Sequence, residues 1–140
     1  MAIKVSAEEM SDFLDIIFPQ VSGEFKIERI DDTGVRMRLL VGERHLRPGG
    51  TVSGPAMFSL ADVSAYVATM SLIGKEALAV TTNCSLDFMR KPAAGCDLIA
   101  DAEVLKLGKT LSVTDIRIYS EGSSELVARA SMTYAIPPKR

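Results

Sequence analysis

Residues that bind metals are scarce in this sequence, which has one histidine and two cysteines. A zinc site takes about four ligands, and no set of carboxylates at ligand spacing supplies the rest. Cys84 and Cys96 lie on predicted strands, and a reducing compartment would keep them as buried structural thiols. We therefore predict that the protein holds no metal and no cofactor.

Basic residues are not in excess either. Sixteen Lys and Arg stand against 18 Asp and Glu, a net charge of −2 at pH 7, whereas binding to nucleic-acid phosphates needs a basic surface. Glu8 and Glu9 interrupt the N-terminal segment where a secretory signal would be apolar, and no lipidation motif is found. We expect a cytoplasmic protein that binds neither nucleic acid nor membrane.

The composition is typical of a globular protein. Apolar residues make up 47% of the chain and charged residues 24%, and no repeat or low-complexity tract divides it. The length of 140 residues suits one hydrophobic core and is too short for two ordinary ones. We predict a single domain over residues 1–140.

Short-range patterns predict one helix and a series of strands. A capping box at Ser6 and Glu9 predicts a helix over residues 6–18, which Pro19 ends. Alternating apolar residues on either side of an Asp-Asp-Thr-Gly turn predict a β-hairpin. Further alternation predicts strands over residues 78–88, 98–104, 111–118 and 126–136.

Two details of these strands can be predicted. In the segment 78–88, Thr82 shares a face with Cys84 and Leu86. In the next-to-last strand, the apolar residues change parity between Val113 and Ile116, which predicts a β-bulge near Thr114–Asp115.

Residues 55–74 are the most informative segment. Pro55 suits a helix start, Gly74 suits a helix end, and Asp62 is the only charged residue between them. A helix that is apolar on all sides is a buried one, and its serines and threonines make it a poor membrane span. We predict an α+β fold in which a long antiparallel sheet curls around this single buried helix.

Asp62 is the strongest candidate for a catalytic residue. An unpaired carboxylate inside an apolar helix is unfavourable, and ionisable groups in such environments concentrate at functional sites. It could act as a general base or as a nucleophile towards an acyl carbon. The alternative is a structural aspartate that is hydrogen-bonded to Ser59, to Tyr66 or to a neighbouring backbone group.

A glycine-rich loop, residues 49–54, leads directly into this helix. Backbone N–H groups around Gly54 would stabilise negative charge that develops on a carbonyl oxygen. A phosphate-binding loop would need a lysine that is absent here. Ser53 lacks the GxSxG pattern of a serine hydrolase, and His45 on the preceding loop is its only possible histidine partner.

The residues His45-Leu46-Arg47-Pro48-Gly49-Gly50-Thr51-Val52-Ser53-Gly54-Pro55, followed by Leu60-Ala61-Asp62, resemble a known motif. It is that of the hotdog acyl-CoA thioesterases of the phenylacetate-degradation and 4-hydroxybenzoyl-CoA group, H-x-N-x-x-G-x-x-H-G-G followed by a helix with L-x-D. The order of the predicted elements is similar as well. The resemblance implies the hotdog fold and acyl-CoA thioesterase activity.

The resemblance also implies roles for individual residues. Asp62 corresponds to the base or nucleophile, Gly54 to the N–H that polarises the thioester carbonyl, and Thr81, or Thr82 next to it, to a hydroxyl that positions the attacking water. The remaining candidates are expected to contact the substrate. They are His45, Arg47, Ser53 and Met57 near the acyl group, and Arg90, Lys91 and Lys109 near the coenzyme A phosphates.

Three residues depart from the family pattern. Arg47 stands in place of asparagine, Ser53 in place of histidine and Pro55 in place of the second glycine. These changes leave two alternatives open. One is a non-catalytic hotdog module that binds an acyl thioester or a protein. The other is a hotdog hydratase or dehydratase, which needs a histidine beside the carboxylate, and only His45 is available.

The spacing of Gly54 and Asp62 bears on the oligomeric state. Eight residues of helix separate their backbones by about 12 Å along the axis, whereas both groups must approach one carbonyl. We therefore expect a homodimer or homotetramer whose sites are shared between subunits, as the resemblance also implies.

Overall fold

The computed structural model describes residues 1–138 and contains two α-helices and six β-strands in that range. They are α1 (Ala7–Ile17), β1 (Phe25–Asp31), β2 (Gly34–Leu39), α2 (Gly54–Ile73), β3 (Val80–Phe88), β4 (Leu98–Leu107), β5 (Leu111–Ser120) and β6 (Leu126–Ala135). Single turns of 3₁₀-helix follow α1 and precede the glycine-rich loop.

The strands form one antiparallel sheet in the order β1-β2-β4-β5-β6-β3. Helix α2 contacts all six strands. A sheet that wraps around one long helix is the hotdog fold, so the predicted fold class is confirmed. The strands β1 and β3 are the two edges of the sheet.

Helix α2 begins and ends where its sequence predicts. Ser53 is the N-cap, and its hydroxyl accepts a hydrogen bond from the Ala56 N–H at 3.3 Å. Gly74 ends the helix with φ of 102°, a conformation that favours glycine. The helix is long and apolar enough to cross a membrane, but 72% of its apolar stretch is buried inside the fold.

Several buried polar side chains form hydrogen bonds, whereas the buried Thr114 hydroxyl has no partner within the described residues. Ser64 donates to the Leu60 carbonyl at 2.6 Å and Ser71 to the Ala68 carbonyl at 2.7 Å. Thr69 donates across the core to Ser112 Oγ on β5 at 2.9 Å, and both side chains are fully buried. Both cysteines are free and half-buried.

The bulge predicted near Thr114–Asp115 is wrong. Strand β5 keeps one inward face throughout, and its inward residues include the buried Ser112 and Thr114. The irregularity lies on the neighbouring strand, where the pairing with β5 shifts between Val104 and Lys106. Ser112 and Thr114 occupy inward positions that are usually apolar. The apolar residues of the sequence therefore change parity, although the strand itself is regular.

The bond between Thr69 and Ser112 provides a test of this core. Thr69→Val is nearly isosteric and leaves the buried Ser112 hydroxyl without its partner, so we expect the free energy of unfolding to fall by about 1–2 kcal/mol. Urea denaturation with an unchanged m-value would measure the loss. Adding Ser112→Ala removes the unpaired hydroxyl and should recover part of the stability; an unchanged single variant would contradict this account.

Candidate active site

The Asp62 carboxylate is held by two hydroxyl groups from two strands. The Thr81 hydroxyl on β3 donates to Oδ1 at 2.5 Å, and the Tyr134 hydroxyl on β6 lies 2.8 Å from the same oxygen. Within residues 1–138, Oδ2 has no hydrogen-bond partner and is not fully buried. One oxygen of the carboxylate is thus fixed, and the other is free to meet water or a substrate.

If Asp62 were structural, Ser59 or Tyr66 was expected to hold its carboxylate. Within the described residues, neither side chain does so. Ser59 makes no hydrogen bond to the carboxylate, and Tyr66 instead donates to the Ala77 carbonyl at 2.6 Å. Asp62 is half-buried.

Thr81 reaches Asp62 because strand β3 is irregular at this point. The pairing of β3 with β6 shifts between Thr81 and Asn83. Thr82 is therefore exposed and not on the Cys84 face as predicted, whereas Thr81 is half-buried and points to the helix. The extra residue of the bulge turns Thr81 inwards.

Tyr134 was not predicted as a member of this cluster. Its side chain is 3% exposed, and burial together with the neighbouring Asp62 carboxylate raises the pKa of Tyr134 well above its usual range. The hydroxyl therefore keeps its proton and acts as a donor. Its inward position on the last strand was evident from the alternating pattern, but nothing in the sequence set it opposite Asp62.

An open cleft of about 410 Å³ lies in front of this cluster. Its walls come from the end of α1, from α2 and from the segment before β3, and most of them are apolar. We call it the carboxylate cleft; its lining residues are Ile17, Phe18, Gln20, Asp62, Tyr66, Ala77, Ala79, Val80, Thr81 and Tyr134.

A second cleft of about 390 Å³ lies at the N-terminus of α2. It brings together five of the residues predicted from the sequence: Arg47, Gly54, Met57, Arg90 and Lys91. We call it the glycine cleft; Thr51, Val52, Phe88, Met89 and Pro92 complete its lining.

The Gly54 N–H is a free backbone donor at the glycine cleft. Pro55 has no N–H, and the N–H groups of Ala56 and Met57 donate to the side chain and the carbonyl of Ser53. The Gly54 N–H has no acceptor within the described residues. It therefore lies at the positive end of the helix dipole, where it can donate a hydrogen bond to a negatively charged oxygen.

Three predicted substrate contacts lie in neither cleft. Lys109 is on the turn between β4 and β5, at the same end of the sheet as Val80 but with β6 between it and β3, whereas Arg90 and Lys91 follow the Phe88 end of β3. Ser53 is the N-cap of α2. His45 is buried, accepts the Gly42 N–H on Nδ1 at 2.8 Å and contacts Glu24 through Nε2 at 2.9 Å.

Ser53 and His45 have structural roles in this loop, and their contact with the substrate stays a prediction. Both residues hold the loop that leads into α2, and the Ser53 N–H also donates to the His45 carbonyl at 2.7 Å. Because its ring nitrogens contact Gly42 and Glu24, His45 is not the histidine beside Asp62 that a hydratase or dehydratase would need.

Comparisons with known proteins identify similar sequences and structures. A sequence profile of the thioesterase superfamily matches residues 49–127, a range that includes Gly54, Asp62 and Thr81. The human acyl-coenzyme A thioesterase 13 is 28% identical over 118 residues, which cover 83% of this chain and 82% of the human protein.

Solved structures have the same fold. A proposed thioesterase of Silicibacter sp. is 56% identical, with a TM-score of 0.92 over 99% of this chain and 96% of that one. A variant of the phenylacetic acid degradation protein PaaI of Thermus thermophilus is 25% identical, with a TM-score of 0.73 over 85% of this chain and 99% of that one.

Replacement of Ser53 tests its role as the N-cap. Ser53→Ala removes the acceptor for the Ala56 N–H, and we expect a loss of about 0.5–2 kcal/mol in the free energy of unfolding. Ser53→Asp keeps an acceptor at this position and serves as the control. Equal stabilities of the alanine variant and the parent in thermal or urea unfolding would show that the cap contributes nothing.

Proposed function

This chain belongs to the thioesterase superfamily and is a thioester hydrolase, and we propose that its substrate is an acyl-CoA, which water cleaves to a free acid and coenzyme A. The observation that carries the proposal is the Asp62 carboxylate, with one oxygen fixed by Thr81 and Tyr134 and the other open to an apolar cleft. The activity of the human relative, as its name states it, supports the same substrate class.

The chemistry needs an attacking group and an acceptor for the developing charge. Asp62 either removes a proton from water as the water attacks the acyl carbon, or attacks that carbon itself to form an anhydride that water then hydrolyses. In both routes the carbonyl oxygen becomes an oxyanion, which the Gly54 N–H stabilises. The C–S bond breaks, and coenzyme A leaves as the thiolate. Thr81 keeps the carboxylate oriented towards the attacking water.

One chain does not bring these two groups to one carbonyl. Asp62 lies in the carboxylate cleft and Gly54 in the glycine cleft, and no lining residue is common to both. An oxyanion donor works at about 3 Å, whereas eight residues of helix separate the two backbones by about 12 Å.

A second copy of the chain would solve this geometry. Strand β3 is an edge strand of nine residues, and the side chains of Val80 and Phe88 at its ends are more than half exposed. Such an edge favours pairing with another strand. If two copies pair antiparallel about Cys84, the Val80 end of one β3 meets the Phe88 end of the other.

This pairing sets the carboxylate cleft of one subunit beside the glycine cleft of the other. We propose a homodimer, or a homotetramer of such dimers, with two sites per pair. Lys109 lies at the same end of the sheet as Val80, so it would be on the side of Arg90 and Lys91 of the second copy. These three cations would then face the phosphates of coenzyme A.

Asp62→Asn tests the proposed chemistry. Asparagine is nearly isosteric but neither accepts a proton nor attacks the acyl carbon, so we expect turnover of acyl-CoA to fall on the order of 100-fold or more with the fold retained. A thiol-reactive dye that detects free coenzyme A gives the rate, and circular dichroism gives the fold. If the variant turns over at close to the parent rate and only its melting temperature changes, Asp62 is structural.

Replacement of Lys91 tests contact with the nucleotide. Lys91 makes no ion pair within residues 1–138, whereas Arg90 pairs with Glu125 at 2.5 Å. We expect Lys91→Ala to raise KM for acyl-CoA by about threefold to tenfold, and Arg90→Ala to act in the same direction, with kcat retained, because phosphate contacts far from the reacting carbon give uniform binding.

The control substrate is an acyl thioester of N-acetylcysteamine, which lacks the nucleotide. Its KM should stay the same in the Lys91 and Arg90 variants. Lys26→Ala, on the opposite edge strand β1, is the matched control for loss of one positive charge. Equal changes in KM for both substrates would show that Lys91 and Arg90 do not contact the nucleotide.

A further inference from the structure

The hydroxyl of Tyr134 contacts Asp62 at two atoms. It lies 2.8 Å from the carboxylate oxygen Oδ1 and 3.0 Å from the main-chain carbonyl oxygen of the same residue. On the basis of the proposed function, we propose that Tyr134 is a positioning residue of the hydrolysis reaction, which holds the Asp62 carboxylate so that Oδ2 faces the substrate.

The two contacts restrict the Asp62 side chain in a way that one contact would not. A single hydroxyl near both the main-chain oxygen and Oδ1 fixes the carboxylate relative to its own backbone, so that rotation about the Cα–Cβ bond is limited. Thr81 approaches Oδ1 from the other strand. Thr81 and Tyr134 are paired across β3 and β6, so both hydroxyls contact the same oxygen and leave Oδ2 for the attacking water or the acyl carbon.

Tyr134 is itself rigidly placed. Its ring stacks on that of Tyr66, with the centroids 5.8 Å apart and the planes at 20°. The Tyr66 hydroxyl is tied to the Ala77 carbonyl, and the Phe18 ring packs edge-on against Tyr66 at 6.5 Å. The position of the Tyr134 hydroxyl is thus set by packing that does not depend on a substrate, which is what preorganisation of a catalytic group requires.

A purely structural bond between α2 and the sheet would look similar in the static structure. The bond of Thr69 to Ser112 is such a case, because it also joins α2 to a strand through one hydroxyl but lies in the core, away from both clefts. Thr69→Val is therefore the matched control for Tyr134→Phe, since each variant removes one hydroxyl that links the helix to the sheet.

The experiment compares kcat and KM of Tyr134→Phe, Thr69→Val and the parent with one acyl-CoA. Phenylalanine keeps the ring and its stack on Tyr66. We expect kcat of Tyr134→Phe to fall on the order of tenfold with KM changed less than about twofold, because the lost contact is to Asp62 and not to the substrate. Thr69→Val should lose thermal stability and keep kcat.

Two results would overturn the proposal. One is a kcat of Tyr134→Phe within about twofold of the parent; the other is an equal fall of kcat in Thr69→Val, which would assign the effect to a loosened helix. Asp62→Asn separates this failure from that of the proposed function. If Asp62→Asn is inactive while Tyr134→Phe is fully active, only the positioning role is lost, whereas an active Asp62→Asn variant removes the basis of both.

Discussion

A carboxylate on the buried helix of a small domain must find hydrogen-bond donors, because an unpartnered charge in apolar surroundings is strongly unfavourable. Here the donors are the hydroxyls of Thr81 and Tyr134, which come from the two adjacent strands β3 and β6. This requirement accounts for several features together: the bulge that turns Thr81 inwards, the burial of Tyr134 at the end of the sheet, and the stack of Tyr134 on Tyr66.

Helix α2 also fixes the distance between Gly54 and Asp62. Its first turn presents the free Gly54 N–H in one cleft, and its third turn presents Asp62 in another. A rigid helix cannot shorten this distance, so a reaction that uses both groups on one carbonyl calls for a second chain. The exposed edge of β3 runs from one cleft to the other and is the part of the described chain that suits such an arrangement.

Much of the fold and part of the candidate site could be predicted from the sequence, and the features that could not be predicted have physical explanations. Composition and alternation predicted the fold, the buried helix and Asp62, and the family resemblance is confirmed by the thioesterase profile. The prediction of a bulge in β5 was wrong because Ser112 and Thr114 occupy inward positions that are usually apolar. The structural roles of His45 and Ser53 were not predicted, because the motif does not reveal that Glu24, Gly42 and Ala56 bond to their polar atoms. Tyr134 was missed because strand pairing, not sequence proximity, brings it to Asp62.

The most direct test of a catalytic site shared by two subunits is to mix two inactive chains. Asp62→Ala lacks the carboxylate, and Gly54→Pro lacks the N–H but suits the first position of a helix. After each variant is shown to fold and to exchange subunits, an equal mixture should recover about a quarter of the parental turnover, because half of randomly formed dimers carry one intact site out of two. No recovery despite demonstrated exchange would contradict a site built from Asp62 of one subunit and Gly54 of the other.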